Sequence, residues 1–365
     1  MNLLLLIGAF PPGPFGGAET QAEAWAGRLA TRHRVTVITR RRPATRPLRE
    51  RRDGYEVVSL PVSGVPMART WLDREAAARV IGTLVPRPDL ALCFQTFVSG
   101  WIGVHVQRRL GIPALVWVRG EDEIRLGARL RARLLSRGVW RAARGVLVQS
   151  DEMRGALLGE LGAADRAALE PKLAVVPNGI ELPAMQEPGA RGDRVLAVGR
   201  LESFKGFDIV IDAVAAIGGR LTVAGDGSER SRLEARARER GLDARFLGRV
   251  DRATLQTLYR EARCLALGSR FGEGFPNVLL EAMAHGCPVV ATRITGVPAL
   301  VEDGVDGLLV PSDDVPAMGD ALARLTREPG LAARLGTAAR ATAGRYAWDA
   351  VEPRLEDVLA RWGTR

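Results

Sequence analysis

Residues 263–291 read RCLALGSRFGEGFPNVLLEAMAHGCPVVA. A short unbroken apolar run, 263–267, is followed by a turn at Gly274 to Pro276. A helix begins at Asn277 and ends near Gly286, and a second apolar run occupies 288–291. Short strands that are apolar throughout, joined by amphipathic helices, belong to parallel sheets covered on both faces. The pattern continues outward. Further strands are expected at 194–199, 220–225, 244–247 and 307–310, and an earlier series at 2–8, 34–39, 55–59, 89–93, 114–118 and 145–148. Helices are expected at 17–31, 73–84 and 101–110 of that earlier series. The alternation pauses after the strand and turn Leu173–Ile180. Glu181 to Asp193, rich in Pro, Gly and charge, reads as a linker. A chain of 365 residues fits two domains at ~150 residues each.

Composition removes several classes. Apolar residues make up 47% and charged residues 26%, values of a globular chain rather than a disordered one. No run reaches the ~18 apolar residues of a spanning helix. The opening apolar run lacks a basic start and passes directly into Gly8, so it reads as a buried strand and not a leader. Three scattered cysteines and three histidines offer neither a disulfide framework nor a zinc spacing. The expected compartment is a reducing cytoplasm, with no metal and no cofactor.

Charge is distributed unevenly. Residues 1–180 hold 27 basic and 16 acidic side chains, whereas 181–365 hold 25 and 26, so the net +10 belongs to the N-terminal half. Arg40 to Asp53 carries seven arginines, and its prolines argue for a loop. Ile124 to Arg144 carries seven more, with Arg125, Arg129, Arg133, Arg137, Arg141 and Arg144 on one helical arc. Ile124, Ala128, Ala132, Leu134, Leu135 and Val139 fall on the opposite arc. This basic amphipathic helix is either a solvated face over a core or a docking surface for anionic lipid. No nucleic-acid motif accompanies it. Only Lys172 and Lys205 are lysines, against fifty arginines, which singles them out as places where a compact point charge was wanted.

Open parallel sheets bind ligands at the carboxyl ends of their strands, and chemistry-bearing residues gather there. Gly16 and Gly17 lie between the first strand and its helix, where glycine lets backbone N–H groups approach an anion. Arg200 and Lys205 follow strand 194–199 in VGRLESFKG, a planar fork and a point charge that could converge on one diphosphate. Glu273, Gly274, Phe275, Pro276 and Asn277 follow strand 263–267, and Glu281 lies inside the helix. Carboxylates suit vicinal sugar hydroxyls, and Glu281, among Leu279, Leu280 and Met283, needs a partner. Gly296 to Gly307 reads as a mostly structural turn and hairpin.

The set GGAE (16–19), VPNGI (176–180), GRL with KG (199–206), EGFPNVLLEAMAHGCPVVAT (273–292) and GVPALVEDGVDGLLV (296–310) resembles the retaining GT-B glycosyltransferases of family 4. The resemblance covers nearly the whole chain and is densest from 175 to 310. It implies an α/β architecture of two doubly wound, Rossmann-like domains facing across a cleft. Residues 1–178 would form the acceptor domain and 179–346 the nucleotide-sugar domain, with 347–365 a helix crossing back. Arg200 and Lys205 would bind the donor diphosphate, Glu281 the ribose, and Glu273 with Gly274 to Asn277 the donor sugar. Arg249 would sit by the base, and Gly16 and Gly17 would line the site. Arg200, Lys205 and Glu273 are the catalytic candidates. Many relatives place a histidine after the strand Ala114–Val118; this chain has Arg119, Glu121 and Asp122, which become candidates for contact with sugar or acceptor.

The implied reaction moves a hexosyl or N-acetylhexosaminyl group from a nucleotide-diphosphate sugar, UDP in preference to GDP, to a hydroxyl of a glycan or lipid-linked acceptor. Retention would follow from same-face attack without a metal. The chain would work in the cytoplasm or on the inner membrane face. Rivals are a nucleotide-sugar 2-epimerase on the same scaffold and a non-catalytic nucleotide-sugar binding module.

Overall fold

The computed structural model describes residues 1–11, 16–40, 47–60, 69–120, 123–125, 130–184, 191–271 and 273–363. The chain divides into two compact units, one of Met1–Pro177 with Pro353–Arg365, the other of Asn178–Glu352.

The first unit is built on eight strands: β1 (Asn2–Leu6), β2 (Arg34–Arg40), β3 (Arg49–Arg52), β4 (Tyr55–Leu60), β5 (Leu90–Phe94), β6 (Ala114–Trp117), β7 (Gly145–Val148) and β8 (Leu173–Val175). Their order across the sheet is β3-β4-β2-β1-β5-β6-β7-β8, and every pair but β3–β4 is parallel. The order reverses between β1 and β5, which creates a ligand-binding switch point at their carboxyl ends. Leu4, Leu6, Ile38, Ala91, Val116 and Val146 form a continuous buried face. The helices are α1 (Gly17–Leu29), α2 (Arg69–Gly82), α3 (Trp101–Leu110), α4 (Leu130–Ala142), α5 (Asp151–Gly159) and α6 (Ala163–Leu169). α5 starts where Ser150 Oγ accepts the Met153 N–H at 3.1 Å, a side-chain cap worth about 1 kcal/mol.

The second unit repeats the plan with β9 (Arg194–Val198), β10 (Arg220–Ala224), β11 (Asp243–Gly248), β12 (Cys264–Leu267), β13 (Val289–Thr292) and β14 (Leu308–Val310). The order β11-β10-β9-β12-β13-β14 is parallel throughout and reverses between β9 and β12. Around it lie α7 (Phe207–Ala216), α8 (Arg230–Glu239), α9 (Arg252–Glu261), α10 (Asn277–Ala284), α11 (Val315–Arg327), α12 (Pro329–Gly344) and the start of α13 (Trp348–Gly363). α10 buries Leu279, Leu280, Ala282, Met283 and Ala284 against Leu265, Leu267 and Val289. Burial of each such leucine contributes about 1.5–3 kcal/mol, so this helix is held firmly over β12 and β13. From Pro353 onward α13 belongs to the first unit, where His33 Nε2 meets Glu356 Oε2 at 2.9 Å and Arg361 donates to the Pro171 carbonyl.

Two expectations about the basic segments are corrected. Part of the Arg40–Asp53 loop is the edge strand β3, paired antiparallel with β4 around Gly54. Its side chains, RERR, carry no apolar alternation, because an edge strand needs only backbone pairing, and charge there discourages further pairing. The basic helix is shorter than 124–144. Glu123 and Ile124 form a turn, and the described helix spans Leu130–Ala142; residues 126–129, Ala128 and Arg129 among them, lie outside the described residues. Nor is its apolar arc wholly buried. Val139 is 4% exposed, but Leu134 is 59% and Leu135 52% exposed, because Ser136, Val139 and Trp140 form the inward face. Lys172 has a structural task, donating to the Arg141 and Ala143 carbonyls at 2.6 and 3.0 Å and so capping α4.

Candidate functional site

In the second unit the loops after β9 and β12 approach each other at the switch point. Gly206 adopts φ +60°, and a Cβ there would lie 1.9 Å from the Gly268 carbonyl oxygen. Only glycine permits this crossing. It brings Lys205, at the end of a short 3₁₀ turn (Ser203–Lys205), against the loop after β12. Lys205 Nζ donates to Glu273 Oε1 at 2.6 Å, and Ser269 Oγ donates to the same oxygen at 2.7 Å. Glu273 is buried, and its Oε2 has no partner among the described residues. The ammonium also lies 5.2 Å from the Phe204 ring centroid. Lys205 and Glu273, 68 positions apart, are therefore one constellation.

The Glu273–Asn277 segment is set from below. Gly296, at φ +87°, passes so close that a Cβ would lie 2.6 Å from the Glu273 carbonyl oxygen and 2.5 Å from that of Gly274. The segment read as mostly structural is thus the floor of this loop. Asn178, 2% exposed, donates from Nδ2 to Asn277 Oδ1 at 2.5 Å and lies 3.5 Å from the Phe275 carbonyl oxygen. Gly274, Phe275 and Pro276 are buried, and they deliver the chain into α10 with the backbone N–H groups at its first turn unsatisfied by the helix itself. Gly272 lies outside the described residues.

Glu281 lies in the second turn of α10, half-buried, and accepts a hydrogen bond from Tyr259 Oη at 2.8 Å. Burial pushes its carboxyl above the usual range, with the Tyr259 hydroxyl and the Arg252 charge pulling it back. Tyr259 is raised well above its ordinary value by burial and by that carboxylate, so the phenol keeps its proton. Tyr259 escaped the sequence reading because it lies on α9, outside every motif; the apolar company of Glu281 was the only signal that a buried partner was required. Ser269 and Arg270 carry no assigned role in the sequence reading. Arg270 clamps the loop, reaching Asp208 at 3.0 Å, Asp313 at 2.6 Å and the Ser203 carbonyl at 2.7 Å.

Arg200 follows β9 directly, is exposed, and its side chain has no partner among the described residues. The structure does not bring it into the Lys205–Glu273 pair. Arg249, at the carboxyl end of β11, is also exposed.

The first unit gathers its own candidates at the carboxyl ends of β1, β5 and β6. Gly16 N–H donates to Glu19 Oε2 at 2.9 Å, closing the start of α1, and Gly17 opens that helix. Arg119 follows β6, is 8% exposed, and places its guanidinium 4.8 Å from the Trp117 ring centroid and 5.5 Å from that of Phe94. Burial pulls it down to about 10, while the carboxylates of Glu123 and Glu19 oppose the shift. Arg119 and the Gly16–Glu19 turn are thus electrostatic neighbours. Glu121 and Asp122 lie outside the described residues. Glu123, buried at 4% exposure, was not singled out from the sequence. A concavity of about 760 Å³ opens at the opposite, amino ends of β1, β2 and β4. Of its arginines Arg34, Arg49, Arg51 and Arg52, Arg49 is held by Glu56 and Arg52 by Glu23, and the candidate residues lie at the other end of the sheet.

Comparison with known proteins agrees with this geometry. Residues 16–179 match the model of the glycosyl transferase 4-like domain, and residues 192–328 that of glycosyl transferases group 1. The D-inositol 3-phosphate glycosyltransferase of Mycobacterium avium (strain 104) is 42% identical over 166 residues, 43% of this chain and 39% of that protein. The protein of the same name from Kribbella flavida is 35% identical over 283 residues, 69% of this chain and 66% of that protein. The match thus spans about two fifths to two thirds of the length of these two relatives. The solved structure of HepE from Anabaena, in complex with UDP-glucose, superposes with a TM-score of 0.83 at 21% identity, covering 98% of this chain and 99% of that one. With two Rossmann-like parallel-sheet units and both family models matched in order, the chain belongs to the group 1, family 4 glycosyltransferases of GT-B architecture.

Proposed function

We propose that this protein transfers a sugar from a nucleotide-diphosphate sugar, UDP-linked in preference to GDP-linked, to a hydroxyl of a glycan or lipid-linked acceptor, with retention and without a metal. The observation that carries the reading is the Lys205–Glu273 pair at the β9/β12 switch point, with Glu273 Oε2 unengaged. The complex of HepE with UDP-glucose supports the choice of base.

The chemistry follows from the leaving group. As the C1–O bond breaks, negative charge grows on the diphosphate. Lys205, already oriented by Glu273, and the exposed Arg200 supply two cations for that charge. The backbone N–H groups at the start of α10 add partial positive charge. Glu273 Oε2 accepts a donor-sugar hydroxyl, and Glu281, steadied by Tyr259, accepts the ribose hydroxyls. Glu273 is committed to Lys205 and Ser269 and serves as a holding group rather than a nucleophile. Retention then comes from attack on the face the diphosphate leaves, with the departing phosphate taking the acceptor proton. Gly16 and Gly17 are kept as donor-binding candidates, and Arg119 as a candidate for contact with sugar or acceptor.

A thermal-shift panel of UDP, GDP and ADP tests the donor. UDP at 100 times its Kd is expected to add ~2.7 kcal/mol of stability. Transfer from UDP-glucose is expected to proceed at the same rate in EDTA as in magnesium; a rate abolished by EDTA would end the metal-free reading. A 2-epimerase would interconvert the donor with no acceptor present, and a binding module would yield no product.

The membrane reading rests on α4. Leu134 and Leu135 are more than half exposed beside Arg131 and Arg141, an arrangement that suits an anionic bilayer surface. No described helix is long and apolar enough to cross a membrane. Vesicles of phosphatidylglycerol are expected to sediment the wild-type chain, and Leu134→Ser with Leu135→Ser to cut the bound fraction several-fold. Equal sedimentation of both would remove this surface from the account.

A further inference from the structure

The concavity of about 760 Å³ at the amino ends of β1, β2 and β4 contains none of the donor or acceptor candidates. Strand register explains its polarity. Arg51 lies opposite Glu56 across β3 and β4, and Glu56 opposite Thr36 across β4 and β2. Residues directly opposite share a face of the sheet, as do residues two apart along a strand. Arg34, Thr36, Arg49, Arg51 and Glu56 therefore lie on one face. Further along the same strands that face carries Ile38, Val58 and Leu60, which are buried together with Ala77, Ala78 and Ile81 of α2. α2 ends at Gly82, and Thr83, Leu84, Val85 and Pro86 line the recess beyond it. The helix covers the apolar half of the face, and the polar half is the open floor of the recess.

The cations on that floor are unequally engaged. Arg52 is held by Glu23 at 3.1 Å and by Glu50, and Arg49 reaches Glu56 at 3.3 Å in a partly exposed pair. Arg34 and Arg51 are exposed, and their side chains have no partner among the described residues. The lining carboxylates are Asp53 and Glu56, of which Glu56 is the one engaged by Arg49. β2 and β3 flank β4, so their backbones stand ~10 Å apart, a span that two long arginine side chains can close on one anion. A guanidinium is a planar fork that meets phosphate oxygens two at a time. The volume is that of a small-molecule site, ~300–1,000 Å³. A bilayer surface is flat and would meet the rim rather than the floor.

We propose that this recess binds a small, soluble phosphorylated anion through Arg34 and Arg51, with Arg49 joining them when it leaves Glu56. The site lies in the first unit, whereas Lys205 and Glu273 belong to the second, so it is distinct from the donor site. It does not depend on the glycosyltransferase reading. Surface pairs such as Arg49–Glu56 hold weakly, so an anion of higher charge than a carboxylate can take the arginine over.

The test is a calorimetric titration of inorganic pyrophosphate into the full chain, with UDP present at saturation to fill the donor site. The wild type is expected to bind one equivalent saturably. Arg34→Gln with Arg51→Gln is expected to raise the Kd ~10- to 100-fold. Both side chains are exposed and unpartnered among the described residues, so the Tm of the double variant without ligand should stay within about 2 °C of wild type. If it falls further, Arg51→Gln alone, on the edge strand, carries the test with a ~10-fold weakening. No binding by the wild type, equal affinity in wild type and variant, or heat reproduced by potassium chloride of matched ionic strength would each overturn the proposal. Phosphatidylglycerol vesicles form the second arm, and wild type and double variant are expected to bind them equally. A variant that lost vesicle binding and kept pyrophosphate binding would assign the recess to a lipid surface and overturn the small-anion reading. Failure of UDP to bind would remove the donor assignment, and the comparison of wild type with variant would still decide this one.

Discussion

Lys205→Ala is expected to lower turnover of UDP-glucose by ~10²–10³-fold while leaving UDP affinity changed far less. The reason is where the charge develops. In the ground state the diphosphate is already anionic and several groups share it. In the transition state a further charge grows on the bridging oxygen, and a fixed cation near it is worth ~3 kcal/mol or more. Lys205 is fixed on three sides: by Glu273 Oε1 at 2.6 Å, by the Phe204 ring, and by the tight passage of Gly206 past Gly268. An exposed arginine such as Arg200 pays for its orientation during the reaction, so it cannot take over. The substitution also leaves Glu273 buried with only Ser269 as its donor, which costs about 1–3 kcal/mol of stability. Lys205→Ala with Glu273→Gln isolates the stability cost of the unpaired carboxylate, although turnover in it also reflects the change at Glu273. Stability should recover in the double variant while turnover stays low. Turnover at the wild-type rate in Lys205→Ala would end the catalytic assignment.

Glu281→Gln is expected to make the unliganded chain more stable at pH 7 and, in the same molecule, to weaken UDP binding ~10- to 100-fold. Burial holds the Glu281 carboxyl above its unfolded value, so ionising it disfavours the folded state. Below the unfolded carboxylate pKa of ~4.3 the group is protonated in both states and costs nothing. As pH rises through that value toward the raised folded one, stability is lost, and the loss is complete above it. Glutamine never ionises. The variant's advantage in Tm should therefore be absent below about pH 4 and grow as pH rises toward 7. The affinity falls because the ribose hydroxyls lose a charged acceptor. A variant less stable than wild type at pH 7 would mean that the Tyr259 hydrogen bond outweighs burial, and the sign assigned to this group would be wrong.

Much of the framework was legible. Every parallel strand lay within a residue or two of its expected range, because most are buried on both faces and so apolar throughout, while the edge strand β11 (DARFLG) was marked by its apolar alternation. Glu273 and Lys205 stood out because charge beside glycine in a loop that follows a strand has few structural uses, and Glu281 because a carboxylate among apolar residues needs a partner. What escaped were residues whose importance comes from distant partners. Tyr259 reaches the site from α9, outside every motif, and Asn178 and Gly296, though inside quoted motifs, meet the Glu273–Asn277 loop only through the fold. The edge strand β3 escaped because its stability is backbone pairing alone. The outward-facing Leu134 and Leu135 escaped because a helical wheel gives an apolar arc without saying which part of it meets the sheet.

By itself the sequence determined the class: two series of buried parallel strands, most of the candidate residues lying in the loops that follow them, since period and polarity are local properties. The tertiary structure alone decided which of those residues meet. Lys205 finds Glu273 only because the sheet order reverses between β9 and β12, so that loops far apart in the chain emerge side by side. Strand order is set by how whole helices pack over whole sheets, a many-body choice that no window of sequence contains.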